Sequence, residues 1–129
     1  MLKNLVVCAL IASTLVGGSN LSDNQFYAMN IEDIHADNDI LVINANKGES
    51  AEYPLSKNVQ FNLYNAKDDS KLDIISFDEL NKAIKAQYNY VKKKGTSKLS
   101  TCEYISIELN KKNKVKEVRL YVGAELPKE

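Results

Sequence analysis

One stretch of this chain carries a complete helix signal, and it constrains everything around it. Ser76-Phe77-Asp78-Glu79 is a capping box. The Ser76 hydroxyl accepts the amide of residue 79, and Glu79 reaches back to the amide of Ser76. Phe77, Leu80, Ile84, Tyr88 and Val91 follow at helical spacing. Lys92, Lys93 and Lys94 fall in the last turn, and Gly95 supplies the stop. Start, face and end agree on a helix over Phe77–Lys94. Downstream of the amino terminus no other segment repeats this pattern, so the rest of the chain is read as strand and turn.

The strand signals are of period two. Phe26 to His35 mixes apolar and polar residues and reads as a first strand. Ala36-Asp37-Asn38-Asp39 is turn chemistry. Ile40-Leu41-Val42-Ile43 is a β-branched strand nucleus. After Asn46-Lys47-Gly48, the apolar residues Ala51, Tyr53, Leu55, Val59, Phe61 and Leu63 alternate along a third strand. Pro54 or Asn58 is where such a strand would bend or bulge. Residues 65–73 read as a polar loop. Leu99 to Leu109 presents Ile105, Ile107 and Leu109 on one face. Asn110 to Lys114 is a turn, and Val115 to Gly123 points Val118, Leu120 and Val122 inward and Glu117, Arg119 and Tyr121 outward. The last two strands predict a hairpin.

This order, β-β-β-α-β-β, predicts a β-rich α+β domain of five antiparallel strands with one long helix between the third and fourth. Two architectures bury the same helix stripe. One is a barrel like the oligonucleotide/oligosaccharide-binding (OB) fold, and the other is an open sheet with the helix across one face.

The amino terminus gives an address. Lys3 is a positive n-region, Leu5 to Val16 is an apolar run, and Gly17, Gly18 and Ser19 are small residues before a polar stretch. That is the layout of a secretory signal peptide, too short to span a bilayer comfortably. The reading is a signal over 1–19 cleaved near residue 18 or 19, a flexible lead-in over 20–25, and one domain over 26–129, exported to the periplasm or beyond. Cys8 lies inside the signal, leaving Cys102 as the single mature cysteine, which cannot close an intrachain disulfide. It is expected to be buried, the other reading being an intermolecular bridge.

Charge is balanced overall, with 17 basic and 17 acidic residues, but it is uneven along the chain. Residues 20–80 hold twelve acids and four lysines, and residues 92–116 hold eight lysines and two acids. Export and the near absence of arginine argue against nucleic acid as a partner.

Three stretches, Tyr53-Pro-Leu-Ser-Lys-Asn-Val59, Ser76-Phe-Asp-Glu-Leu80 and Lys114-Val-Lys-Glu-Val118, occur in an order that resembles small OB-like β-barrel modules of unknown function in exported bacterial proteins. The resemblance implies a fold and no catalytic residues.

Candidate chemistry is sparse. His35, the single histidine, lies near Glu32, Asp33, Asp37 and Asp39, a conceivable metal or acid/base site whose plainer reading is turn chemistry. Asp68, Asp69 and Asp73 form a second acidic loop without the spacing of a calcium-binding hand. No Gly-x-Ser-x-Gly, Cys-x-x-Cys or glycine-rich phosphate loop occurs. No catalytic residue, metal or cofactor is assigned. The candidate binding patch is Lys92, Lys93 and Lys94 with Lys111, Lys112 and Lys114, if helix end and hairpin tip converge. The function expected is a non-enzymatic exported binding or interaction domain contacting an envelope component or a protein. Membrane contact is expected only at the surface. The alternatives are a small secreted enzyme or metal-binding protein built around His35, and an inhibitor or adaptor docking an acidic partner through the lysines.

Overall fold

The computed structural model describes Leu21 and residues 23–127. The expected signal peptide lies outside the described residues. The elements are β1 (Gln25–Tyr27), a 3-10 turn (Ala28–Asn30), β2 (Ile31–Asp37), β3 (Ile40–Ala45), a second 3-10 turn (Asn46–Gly48), β4 (Ser50–Asn65), β5 (Ser70–Ile74), α1 (Phe77–Lys94), β6 (Cys102–Leu109) and β7 (Val115–Ala124).

The β-rich α+β class holds, and so does the hairpin of the last two strands, but the strand count and order do not. Seven strands form a mixed sheet in the order β1-β6-β7-β4-β3-β2, with β5 added to β4. The expected first strand is split: Ala28 and Met29 turn through a 3-10 turn and are buried rather than extended. Half of it, β1, pairs with β6, and the other half, β2, pairs with β3. The expected polar loop contains β5, whose residues are all exposed and so show no burial alternation. The sheet is not all antiparallel, because β4 and β7 run parallel. Hydrogen bonding does not close the sheet into a barrel. Its two end strands, β1 and β2, are joined only by the chain through residues 28–30.

Local chemistry explains the turns. Asn38 and Asp39 both have positive φ, 53° and 63°, as a two-residue type I′ hairpin between β2 and β3 requires. Short polar side chains tolerate that region best after glycine. The turn between β6 and β7 is fixed by Asn110, whose Oδ1 accepts the amides of Lys112 and Lys114 at 2.9 and 3.0 Å.

β4 is the strand that both halves share. Its start, Ser50–Pro54, pairs with β3, and its end, Gln60–Asn65, pairs with β7. Between Leu55↔Val115 and Gln60↔Glu117 the register shifts, over the stretch that holds Asn58, one of the two positions, Pro54 or Asn58, where a bend was expected. The inner faces of both halves converge on one core that includes Ile31, Ile34, Leu41, Ile43, Ile105 and Val118. The helix α1 packs on the 28–30 turn, β2 and β6, and inserts Leu80 and Ile84, both 0% exposed. The capping box is present, with Ser76 Oγ accepting Glu79 N at 3.0 Å and Glu79 Oε1 accepting Ser76 N at 2.8 Å. A smaller cluster of Tyr27, Met29, Cys102 and Ala124 lies beside the helix end, with Val91 packed against it.

The edge strand β5 carries two exposed apolar side chains, Leu72 at 52% and Ile74 at 70%. Its pairing to β4 is bulged. Its amides at Ser70 and Ile74 donate to the carboxylates of Asp68 and Asp73, at 3.1 and 2.8 Å.

Candidate functional site

Register, not sequence proximity, builds the most organised surface of the molecule. Tyr27 of β1 stands opposite Tyr104 of β6, Tyr104 opposite Tyr121 of β7, and Tyr121 opposite Tyr64 of β4. Four strands thus bring four tyrosines into one row. Tyr104 and Tyr121 stack with ring centroids 4.8 Å apart and an interplanar angle of 15°. Tyr64 tilts against Tyr121 at 5.3 Å, and Tyr27 meets Tyr104 edge-on at 6.4 Å. Cross-strand aromatic pairs of this kind each contribute roughly 0.2–1 kcal/mol.

A polar network locks one end of the row. Arg119 Nε donates to Glu117 Oε1 at 2.8 Å, its NH1 donates to the Tyr121 hydroxyl at 3.2 Å, and its guanidinium lies 4.5 Å from the centroid of Tyr64. The Tyr121 hydroxyl donates to Asp69 Oδ1 at 2.6 Å. Asn62 Nδ2 and the Tyr64 hydroxyl both donate to Glu117 Oε2, at 2.7 and 3.0 Å. Burial alone would raise the Glu117 pKa, but donors from Asn62, Arg119 and Tyr64 outweigh it and hold the carboxyl below its ordinary range. Burial, reinforced by the hydrogen bond to Asp69, pushes the Tyr121 phenol up to about 12. These groups are ionised or neutral as their partners require, and none is poised to exchange a proton near neutrality.

The other end of the row opens into a cleft of about 580 Å³. Tyr27 and Tyr104 form part of its wall, with Gln25, Lys67, Thr101 and Glu125 supplying polar groups. The lining divides about evenly between apolar and polar groups, which suits a ligand with both characters.

The residues singled out in the sequence are placed as follows. His35 is exposed on β2, its Nδ1 2.7 Å from Asp33 Oδ2. Among the described residues no group of three or more His, Cys, Asp or Glu is arranged to hold a metal ion. Asp68 and Asp73 cap strand amides, and Asp69 serves Tyr121. Ser76 is a helix cap. Cys102 is buried and free, with the thiol donating to Glu125 O at 3.3 Å.

The six lysines fall into two groups. Lys92–Lys94 end a helix whose Val91 packs beside Cys102 and whose Gln87 Oε1 accepts the amide of Glu103, so they lie near the start of β6. Lys111, Lys112 and Lys114 lie beyond its far end, roughly 20–25 Å away at the usual strand rise. All six are exposed. Lys92 and Lys93 line a shallow depression with Tyr90 on α1.

The alternation of Glu117, Arg119 and Tyr121 was readable from sequence, but Tyr121 is buried, 7% exposed, rather than open to solvent. Counting back from the Asn110–Lys114 turn sets Tyr104 opposite Leu120, and it is the bulge at Lys116 that shifts the ladder by one and brings Tyr104 opposite Tyr121. Tyr27 and Tyr64 had no such local signal, since their places depend on the long-range pairings of β1 with β6 and β4 with β7. No protein-family model matches the chain, and neither a curated protein nor a solved structure matches it.

Proposed function

We propose that this chain is an exported, non-enzymatic binding module and that its ligand seats in the cleft beside Tyr27 and Tyr104. The observation that carries this reading is the tyrosine row itself. Four rings held by register, and a salt-bridged network holding one end, make a rigid wall beside an open cleft. Rigid walls favour binding because little conformational freedom is lost when the ligand arrives.

The fold reading that goes with it is a partly open OB-like module whose first strand is split into β1 and β2. Its support is the connectivity: β2, β3 and β4 in antiparallel succession, β4 parallel to β7, β7 antiparallel to β6, β6 antiparallel to β1, and the helix before β6. Export rests on Lys3, the apolar run from Leu5 to Val16 and the small residues Gly17–Ser19.

The test is a fragment screen read by amide chemical shifts. Hits are expected to perturb Gln25, Lys67, Thr101 and Tyr104 together and to lose affinity in Tyr104→Ala. Hits that leave these residues unmoved, or hydrolytic turnover abolished by His35→Ala, would overturn the reading. Mass analysis of the mature protein should place its first residue after Gly18 or Ser19, and retention of the full amino terminus in an exporting host would remove the export part.

A further inference from the structure

We infer that the end of the molecule at the β6–β7 turn is a second binding site, for a linear polyanion with a non-aromatic backbone, formed by Lys57, Lys111, Lys112, Lys114 and Lys116. This goes beyond the cleft, and either site can fail alone. Two bulges and one rigid turn assemble it. Leu55 pairs with Val115 and Gln60 with Glu117, so four residues of β4, including Lys57, stand against Lys116 alone. On the other side, Glu108 pairs with Glu117 and Leu109 with Val115, which leaves Lys116 as the extra residue there too. Such bulges re-aim side chains out of the ladder.

The turn beside them is pinned. Asn110 holds the amides of Lys112 and Lys114, its own amide donates to Lys114 O at 2.8 Å, and Asn113 sits at φ 63° with its amide on Asn110 O. Five lysine backbones from three segments are thereby gathered within about 15–20 Å at strand and turn spacings. All five are exposed, and none takes part in either ion pair found among the described residues.

The nearby acids are engaged or set to one side. Glu117 is taken by Arg119, Asn62 and Tyr64, and Glu108 accepts the Ser106 hydroxyl at 2.6 Å. Asp37 and Asp39 belong to the β2–β3 turn. Leu55 N donates to Asp39 O at 2.8 Å, so that turn lies across β4, two strand spacings or about 10 Å from Val115. It bounds the patch and directs an anionic chain over the hairpin tip.

Ligand class follows from residue type. Lysine offers hydrated point charges without the planar fork of arginine, and the tip carries no aromatic ring on which a base could stack. A bilayer surface favours basic groups beside apolar ones that insert. The single large exposed apolar residue near this end is Ile40, 36% exposed, and it adjoins the acidic turn.

The probe is long-chain inorganic polyphosphate, titrated onto the mature chain at several salt concentrations. The expected result is salt-sensitive binding with a log–log slope of about 3–4. Lys111/Lys112/Lys114→Gln should weaken binding about tenfold or more and lower the slope by about 2. Lys57/Lys116→Gln, in different elements, should weaken it independently. Lys92/Lys93/Lys94→Gln and Tyr104→Ala should leave it unchanged, which separates this site from both the helix end and the cleft. Circular dichroism confirms that each variant is folded. Absence of binding at low salt, equal loss in the Lys92–Lys94 variant, or preference for phosphatidylglycerol vesicles or single-stranded DNA over polyphosphate would each overturn the inference.

Discussion

Two adjacent residues at the start of β6 show how burial sets chemistry one side chain at a time. Burial, aided by the charge of Glu103, pushes the Cys102 thiol up to about 11, so it stays protonated and unreactive near neutrality. A thiol reagent should modify the folded protein far more slowly than the unfolded chain, and equal rates would contradict the burial described. Glu103 is a costlier neighbour. Its Oε1 is buried without a hydrogen-bond partner, and desolvation raises its pKa. A carboxyl whose folded pKa lies above its unfolded value contributes stability in acid and loses it as pH rises through the raised value. Glu103→Gln should therefore raise the urea midpoint at pH 7 and change it little at pH 4, and an unchanged midpoint at pH 7 would show that the charge finds a partner. The burial of Cys102 was expected from the sequence. The burial of the Glu103 carboxyl was not, because no local pattern shows that α1, whose Gln87 accepts the Glu103 amide, packs over the start of β6.

Among the elements, α1 was fully legible because every cue is local: Ser76 and Glu79 at one end, an apolar stripe between, and Gly95 at the other. Ser76→Ala should cost about 1 kcal/mol by removing one side of the capping box. Gly95 has φ 74°, where a side chain is strained although nothing lies within 4 Å of the added Cβ. Gly95→Ala should cost about 1–2 kcal/mol through the backbone alone. Thermal or urea unfolding measures both, and a Gly95→Ala variant as stable as the parent would argue against the positive φ. In contrast, β5 was hidden because strand reading depends on alternating burial and all five of its residues face solvent. The break after β1 was hidden for the opposite reason. Phe26 to Met29 is apolar throughout, and an unbroken apolar run gives no sign of where the backbone turns.

For the whole molecule, the decisive contacts are the long-range ones that no short window reveals. The parallel pairing of β4 with β7 crosses some fifty residues of intervening chain, and that pairing joins Tyr64 to the tyrosine row. The alternation of β7 was readable, but the opposition of Tyr104 and Tyr121 depends on the bulge at Lys116 and was not, and neither was the cleft. Because β4 belongs to both halves of the sheet and one core fills both, the two halves should unfold together. Far-ultraviolet dichroism and tyrosine fluorescence should report the same urea midpoint, and two separated transitions would mean that the halves are independent units.

The edge at β5 bears on how this protein behaves in a crowd. Leu72 and Ile74 face solvent on a strand whose outer side no other strand covers, the arrangement from which fibrils grow. Growth requires the amides of the template strand to be available to the incoming one. Here Asp68 and Asp73 already occupy two of them, a bulge disturbs the repeat, and Lys71 adds charge. A folded copy crowded among others thus presents an edge strand already silenced by its own carboxylates.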